Sequence, residues 1–169
     1  MGGASAGRSH SVIDAPFVTT ATIIVCSAGS DRRPEPDQPA VIHVDRDTFE
    51  RLVADALAGI PRRFRDAIRN VAITVEDEPS RALLAEMGIR PPGSLLGLYQ
   101  GTPLPSRSWD YGNMLPDRIL LFQGPHERES DDQDDLVAAI GETLIHEIGH
   151  YFGLSEEEIQ EIEERYWRP

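Results

Sequence analysis

The sequence predicts a small α+β domain in which a short sheet packs against a long helix in the last third of the chain. Apolar residues recur at helical spacing in several segments, whereas other short apolar runs have the length or the alternation of strands. With 169 residues, the chain is long enough to bury one hydrophobic core, and we expect one domain with a tail.

The compact domain is expected over residues 40–169, behind a flexible N-terminal tail and linker in residues 1–39. Residues 1–16 are rich in Gly, Ala and Ser, and residues 27–39 hold three prolines and many charges. Residues 17–26 resemble the core of a signal peptide, but the threonines there make it a poor one. We therefore expect a cytoplasmic protein, with secretion as the alternative.

The domain begins with a predicted strand and two predicted helices. Residues 41–45 (VIHVD) predict a short strand, and Asp45 or Asp47 is suited to cap the helix DTFERLVADALAGI that follows it. A glycine and a proline end that helix. Residues 61–70 then predict a second, shorter one.

Three further runs predict strands. Residues 71–75 alternate between apolar and other side chains, as a half-buried strand does. Residues 95–101 (LLGLYQG) and 118–124 (RILLFQG) are apolar runs of strand length. Residues 80–88 predict a helical turn or two, and the Pro-, Gly- and Ser-rich stretch before the last strand predicts an irregular loop.

The last third of the chain predicts two helices. The acidic residues 130–135 (SDDQDD) suit the start of a long helix that runs to about Phe152, since acids are favoured at helix N-termini. A final helix is predicted from Glu156 to about Tyr166. The long helix has one broad apolar face that is expected to pack on the sheet, and a second face that carries two histidines toward a cleft.

The charge and composition exclude several classes of protein. The net charge is −13, and the acidic excess lies entirely in residues 71–169, so this surface repels nucleic acid. No run of roughly 18 apolar residues exists, so no membrane span is expected. The single cysteine, Cys26, excludes a Cys-rich metal site. The oligomeric state stays open.

The segment HEIGH, residues 146–150, carries the chemistry that the sequence predicts. His146 and His150 are four residues apart, so in a helix they share one face and both imidazoles can reach one Zn²⁺. Glu147 is turned by roughly 100° from His146, which places it where a general base for the attacking water is needed. Gly153 follows at the position of a C-cap glycine and lets the chain turn back sharply.

The third zinc ligand is expected to be a carboxylate just after that turn. Glu156 completes the pattern HExxHxxGxxE, and its carboxylate can coordinate the metal while leaving a fourth position for water. Glu157 competes for this role. Ser155 and Glu158 also form a Ser-x-x-Glu capping box, so Glu156 fits an ordinary first-turn acid as well, although its spacing from His150 favours the ligand role.

Blocks of sequence around the motif resemble those of zincin metallopeptidases, and within them the compact bacterial mini-zincins. The blocks cover about residues 44–160 and read DTFERLVADALAGIP, VAITVEDEPS, LLGLYQGTPL, PDRILLFQGP and TLIHEIGHYFGLSEEE. The resemblance implies a minimal zincin-like domain, with a short three- to four-stranded sheet packed on the active-site helix and flanking helices. It implies zinc at His146 and His150 with Glu147 as the base. Its third ligand is more familiar as His or Asp, so Glu156 departs from the pattern.

The main functional hypothesis is a zinc-dependent metallopeptidase that holds one Zn²⁺ per chain and hydrolyses a peptide or protein substrate by a zinc-activated water. The alternative is a zinc-binding domain that is catalytically weak or inactive and binds a partner; a third interpretation has no metal. One of the strands in residues 95–101 or 118–124 is expected at the sheet edge, where an extended peptide adds as a strand. Four side chains are candidates to stabilise an oxyanion: Arg107, Tyr111, Arg118 and Tyr166.

The other histidines are His10, His43 and His126. Each is expected at the surface or in a loop rather than on the metal. His126 precedes the motif helix, so it is the one expected closest to the cleft.

Overall fold

The structure is a computed structural model that describes residues 25–26, 42–107 and 116–166. Within these ranges the chain forms short strands and helices in mixed order, which confirms the α+β class. In chain order they are β1 (Val25–Cys26), α1 (Arg46–Gly59), α2 (Arg62–Arg65), β2 (Val71–Glu76), α3 (Arg81–Glu86), β3 (Ser94–Leu95), β4 (Gly97–Gln100), β5 (Asp117–Phe122), α4 (Gln123–Glu129), α5 (Gln133–Phe152) and α6 (Glu156–Tyr166).

The main sheet has three strands in the order β2-β5-β4. β2 runs parallel to β5, with Val71 opposite Asp117, and β4 runs antiparallel to β5, with Gly97 opposite Leu121. This mixed sheet confirms the short sheet that the sequence predicts. It also makes β4 an edge strand and β5 the centre, among the described residues.

A separate pair of strands joins β1 to β3. Val25 lies opposite Leu95, and Cys26 lies opposite Ser94, in antiparallel register. The rest of residues 1–39 lies outside the described residues, so the division into tail and domain stays a prediction.

The long helix α5 lies on one face of the sheet and packs against α1, β4, α4 and α6. Strand side chains alternate between the two faces of a sheet, and the two faces have separate cores. The face toward α5 contributes Tyr99, Ile119 and Leu121 to the larger core, together with residues of α1 and α5. The opposite face contributes Leu98, Leu120 and Phe122 to a smaller core near α3.

One predicted strand does not form, and the predicted end of another is wrong. Residues 42–45 form no strand, because Val44 N–H donates to Glu127 Oε1 and Val44 O accepts from Gln123 Nε2. Side chains therefore satisfy this backbone instead of a neighbouring strand. The predicted strand 118–124 ends at Phe122, and Gln123 begins α4, whose early proline fits a first helical turn.

The predicted ends of α5 are confirmed by its caps. Asp132 accepts a hydrogen bond from Asp135 N–H at 2.9 Å, which caps the N-terminus. Gly153 has φ of 72° and closes the C-terminus in the left-handed conformation that glycine adopts without strain. Among the described helices, none is both long enough and apolar enough to cross a lipid bilayer.

Candidate metal centre

Two histidines of α5 lie side by side beneath the first turn of α6. His146 and His150 are 8% and 3% exposed, and their ring centroids are 4.9 Å apart. The Glu156 carboxylate lies above them, with one oxygen 3.7 Å from His146 Nε2 and the other 3.8 Å from His150 Nε2. One ligand atom from each residue lies within 4.8 Å of the others. The structure thus brings the three predicted ligands together, and this group does not include Glu157.

The turn after α5 places Glu156 over the histidines. Gly153 N–H donates to His150 O, and Leu154 N–H donates to Gly149 O, as in a Schellman motif. The chain then reverses into α6. The predicted capping box forms there, since Ser155 N–H donates to the Glu158 carboxylate at 2.9 Å and Glu158 N–H returns to Ser155 Oγ at 3.3 Å.

Glycines allow the close contacts around the histidines. A Cβ atom added to Gly149 would lie 2.5 Å from Ile159 Cγ1, so α6 packs directly on the backbone of α5 there. A Cβ atom added to Gly97 would lie 2.4 Å from Thr143 Cγ2 and 3.3 Å from Glu147 Cγ. Because Gly149 and Gly97 have no side chain, α6 can pack closely on one side of α5 and β4 can pack closely on the other.

Glu147, a residue of α5, is fully buried against β4. Its Oε2 accepts the backbone N–H of Tyr99 at 2.6 Å, whereas its Oε1 has no hydrogen-bond partner among the described residues. Burial raises the pKa of Glu147 to about 8, although His146 and the Tyr99 N–H act in the opposite direction. At neutral pH the metal-free chain therefore favours the protonated carboxyl, and a cation bound beside it would lower the pKa of Glu147 toward the ionised form that a general base needs.

The two histidines differ in their electrostatic surroundings. Burial, and then the neighbouring His146, lower the pKa of His150 to about 4. Burial alone would lower the pKa of His146 as well, but its hydrogen bond to Glu163 and the charge of Glu147 outweigh burial and raise it. His150 is thus held neutral, as an imidazole ligand must be.

Glu163 is a buried site residue that the sequence analysis missed. Its Oε1 lies 2.9 Å from His146 Nδ1, on the side of the ring away from Glu156. Because an ionised carboxylate can only accept, the ring donates from Nδ1. The position of Glu163, seven residues after Glu156, offers a clue because it is two helical turns on. Six glutamates in α6 make that clue ambiguous.

Arg107, a candidate for oxyanion stabilisation, is engaged in a structural cluster. Its guanidinium pairs with the buried Asp117 carboxylate, and its Nε donates to Thr102 O at 2.9 Å. The guanidinium also lies 4.9 Å from the Tyr151 ring centroid, and Tyr99 Oη donates to Asp117 at 2.8 Å. This cluster ties the segment after β4 to the sheet and to α5.

The three other oxyanion candidates are Arg118, Tyr111 and Tyr166. Arg118 shares a sheet face with Leu120, which belongs to the core on the side opposite α5. Tyr111 lies outside the described residues, and the side chain of Tyr166 does as well.

His126 and His43 lie away from the candidate metal group. The prediction of a loop position for His126 is wrong, since it is buried in α4 with its Nε2 3.1 Å from Thr143 Oγ1. His43 is exposed, as predicted, and its Nδ1 contacts Glu127 at 2.7 Å. His10 lies outside the described residues.

The donor set fits a zinc ion. His146 Nε2 is buried and has no hydrogen-bond partner among the described residues, although it lies beside Glu156 and His150. Two imidazoles and one carboxylate are a donor set that catalytic zinc sites use. The hydrogen bond from Nδ1 to Glu163 is the outer contact that metal-binding histidines usually have.

An α+β domain with His-Glu-x-x-His late in its long helix, and with a carboxylate of the next helix beside both histidines, has the features of a zincin-type metallopeptidase domain. Residues 68–166 match the family model described as zincin-like metallopeptidase. Since the match covers more than half of the chain, the protein belongs to the zincin-like metallopeptidase family.

No curated protein matches the chain. A solved structure of a conserved hypothetical protein from T. thermophilus is similar at 22% sequence identity, with a TM-score of 0.43. The similarity covers 64% of this chain and 94% of that one.

Proposed function

We propose that the protein is a peptidase that binds one zinc ion per chain through His146, His150 and Glu156, and that uses Glu147 as its general base. The observation that carries the proposal is the convergence of these three ligands next to a buried carboxylate, one oxygen of which has no hydrogen bond to any described residue. Membership of the family supports the same activity.

The chain's own residues would divide the hydrolytic step among them. Zinc, when bound, polarises a carbonyl and makes water more acidic. Glu147 Oε1 takes a proton from the attacking water and delivers it to the nitrogen of the leaving amine. Tyr99 N–H holds the other oxygen, Oε2, so the base keeps one orientation during both transfers.

Strand β4 offers an edge on which an extended peptide would pair. Phe122 N–H donates to Leu96 O, so in the antiparallel pattern Leu98 also faces β5 and Tyr99 faces the other way. Tyr99 N–H reaches Glu147 at that edge. A peptide added alongside β4 would therefore lie next to the base, which supports a peptide or protein substrate.

A cleavage assay tests this proposal. The full chain is loaded with zinc and incubated with a peptide library, and Glu147→Gln is compared with Glu161→Gln, which changes an exposed glutamate of α6. We expect Glu147→Gln to lower turnover by roughly 10²–10⁴-fold while zinc content is unchanged. Glu161→Gln should match the unaltered chain, and a chelator should stop turnover. Cleavage that survives both Glu147→Gln and the chelator contradicts the mechanism.

Burial at the site favours a second candidate function, a zinc-binding domain without turnover. His150 is 3% exposed and Glu147 is fully buried, so the described residues leave little of the site open to a substrate. In that case the chain would contain one zinc and cleave no peptide in the library. A metal analysis that finds no zinc after mild purification would instead support the interpretation without metal.

A further inference from the structure

Helix α6 brings two carboxylates to the same histidine. Glu156, in its first turn, has an oxygen 3.7 Å from His146 Nε2, and Glu163 has an oxygen 2.9 Å from His146 Nδ1. The two nitrogens are on opposite edges of the ring. Glu163 therefore contacts the edge of the His146 ring that faces away from the proposed metal, and Nε2 of that ring lies toward the other two ligands.

The contact with Glu163 is buried on both sides. Each side chain, Glu163 and His146, is 10% exposed, so water screens this pair weakly. The neighbouring glutamates Glu161 and Glu164 are exposed. Burying one acid of an otherwise solvated helix is costly unless it has a partner, and His146 is that partner.

The packing of α6 fixes the reach of Glu163. Ile159 lies directly on the backbone of Gly149, where an added Cβ would be 2.5 Å from its side chain. Glu163 follows Ile159 by four residues and so lies on the same face of the helix, one turn further on. The glycine within the HEIGH segment thus sets the distance at which Glu163 meets His146.

We propose that Glu163 is a positioning residue that holds His146 in the tautomer with its proton on Nδ1 and directs Nε2 to zinc. The proposal rests on the zinc site of the proposed function, but not on peptide hydrolysis. Carboxylates in this outer position typically change metal affinity by roughly 10- to 100-fold when they are removed. Glu163 would touch neither metal nor substrate and would act through His146.

Two substitutions separate orientation from charge. Glu163→Gln keeps an oxygen that accepts from Nδ1 but removes the charge, whereas Glu163→Leu removes both. Glu161→Gln and Glu161→Leu are the matched controls on the same helix. The full chain is stripped of zinc, and three quantities are measured: the zinc Kd by competition with a chromophoric chelator, the His146 tautomer by ¹⁵N NMR, and the urea midpoint of the zinc-free protein.

We expect a zinc Kd that is roughly 10- to 100-fold weaker for Glu163→Leu, with a smaller loss for Glu163→Gln and none for the Glu161 variants. At a pH where the His146 ring is neutral, the zinc-free chain should show the proton on Nδ1, and Glu163→Leu should lose that preference. Glu163→Gln, which is nearly isosteric, carries the test if Glu163→Leu does not fold.

Unchanged zinc affinity and an unchanged tautomer in both Glu163 variants would overturn the inference. A fall in the urea midpoint with no change in zinc affinity or tautomer would also overturn the inference, because Glu163 would then only stabilise the fold. Zinc binding without peptide cleavage would refute the proposed peptidase and leave the inference about Glu163 standing. An unaltered chain that binds no zinc would overturn both.

Discussion

Acid should destabilise the fold through His126, a histidine that lies outside the candidate metal group. His126 is fully buried in α4; its Nδ1 donates to Phe122 O at 2.8 Å, and the Phe49 ring lies 5.8 Å away. Burial lowers the pKa of His126 to about 4 from 6.5, despite the opposing effect of the carbonyl. Protonation is therefore favoured in the unfolded chain and disfavoured in the folded one.

The sign and size follow from the proton balance. The contribution of His126 to stability is complete above pH 6.5, falls as the pH drops from there, and is lost by about pH 4. Between these limits the unfolded chain binds the extra proton, so stability rises with pH. A pKa lowered from 6.5 to about 4 corresponds to about 3 kcal/mol in full, and to about 2 kcal/mol between pH 7.5 and pH 5.

Urea unfolding of the zinc-free chain at pH 7.5 and pH 5 measures this effect. We compare the unaltered chain with His126→Gln, which removes the titrating ring, and with His43→Gln, which removes an exposed one. The unaltered chain and His43→Gln should each lose about 2 kcal/mol more than His126→Gln over that interval. A difference below about 0.5 kcal/mol would refute the reasoning, because the buried ring would then be protonated without cost.

Two further predictions concern α6 and its contact with α5. Gly149→Ala would press a methyl group against Ile159, so we expect the free energy of unfolding to fall by about 1–3 kcal/mol and zinc to bind more weakly; urea unfolding and chelator competition measure both, and zinc affinity equal to that of the unaltered chain would contradict the coupling. Glu156→Gln should weaken zinc binding while the adjacent Glu157→Gln leaves it unchanged, since only Glu156 lies with the histidines. The reverse order in the same competition assay would make Glu157 the ligand.

The sequence predicts the parts of the fold that local chemistry determines. The ends of α5 are determined by its own residues, an acidic N-cap at Asp132 and a left-handed glycine at Gly153. The two histidines of the motif share one helix face by their spacing alone, whatever the helix packs against. The capping box at Ser155 and Glu158 is equally local, and it forms as predicted. The grouping of His146 with a carboxylate after the turn can be anticipated for the same reason.

The missing strand before α1, the position of His126 and the role of Glu163 all depend on residues distant in sequence. Val44 looks like part of a strand, yet its backbone bonds go to side chains roughly 80 positions later. His126 looks like a loop residue, because nothing local shows that one face of α4 is buried and that α4 packs against α5. Glu163 is one of six similar glutamates, and the contact of Ile159 with Gly149 selects it. A local sequence pattern does not show which residue will contact a partner that is distant in the sequence.

The unequal burial of the three proposed ligands bears on how the site would bind metal. His146 and His150 are held by the packing of α5, and His146 is held again by Glu163, so folding has already restricted their rotamers. Glu156 is different, since its side chain is 59% exposed and its oxygens lie too far from either histidine for a hydrogen bond. Zinc binding would therefore require the Glu156 carboxylate to approach the histidines, whereas the two histidines already lie side by side. The zinc affinity of the site therefore depends on how closely α6 packs on Gly149, because this packing sets how far the Glu156 carboxylate must move to reach the metal.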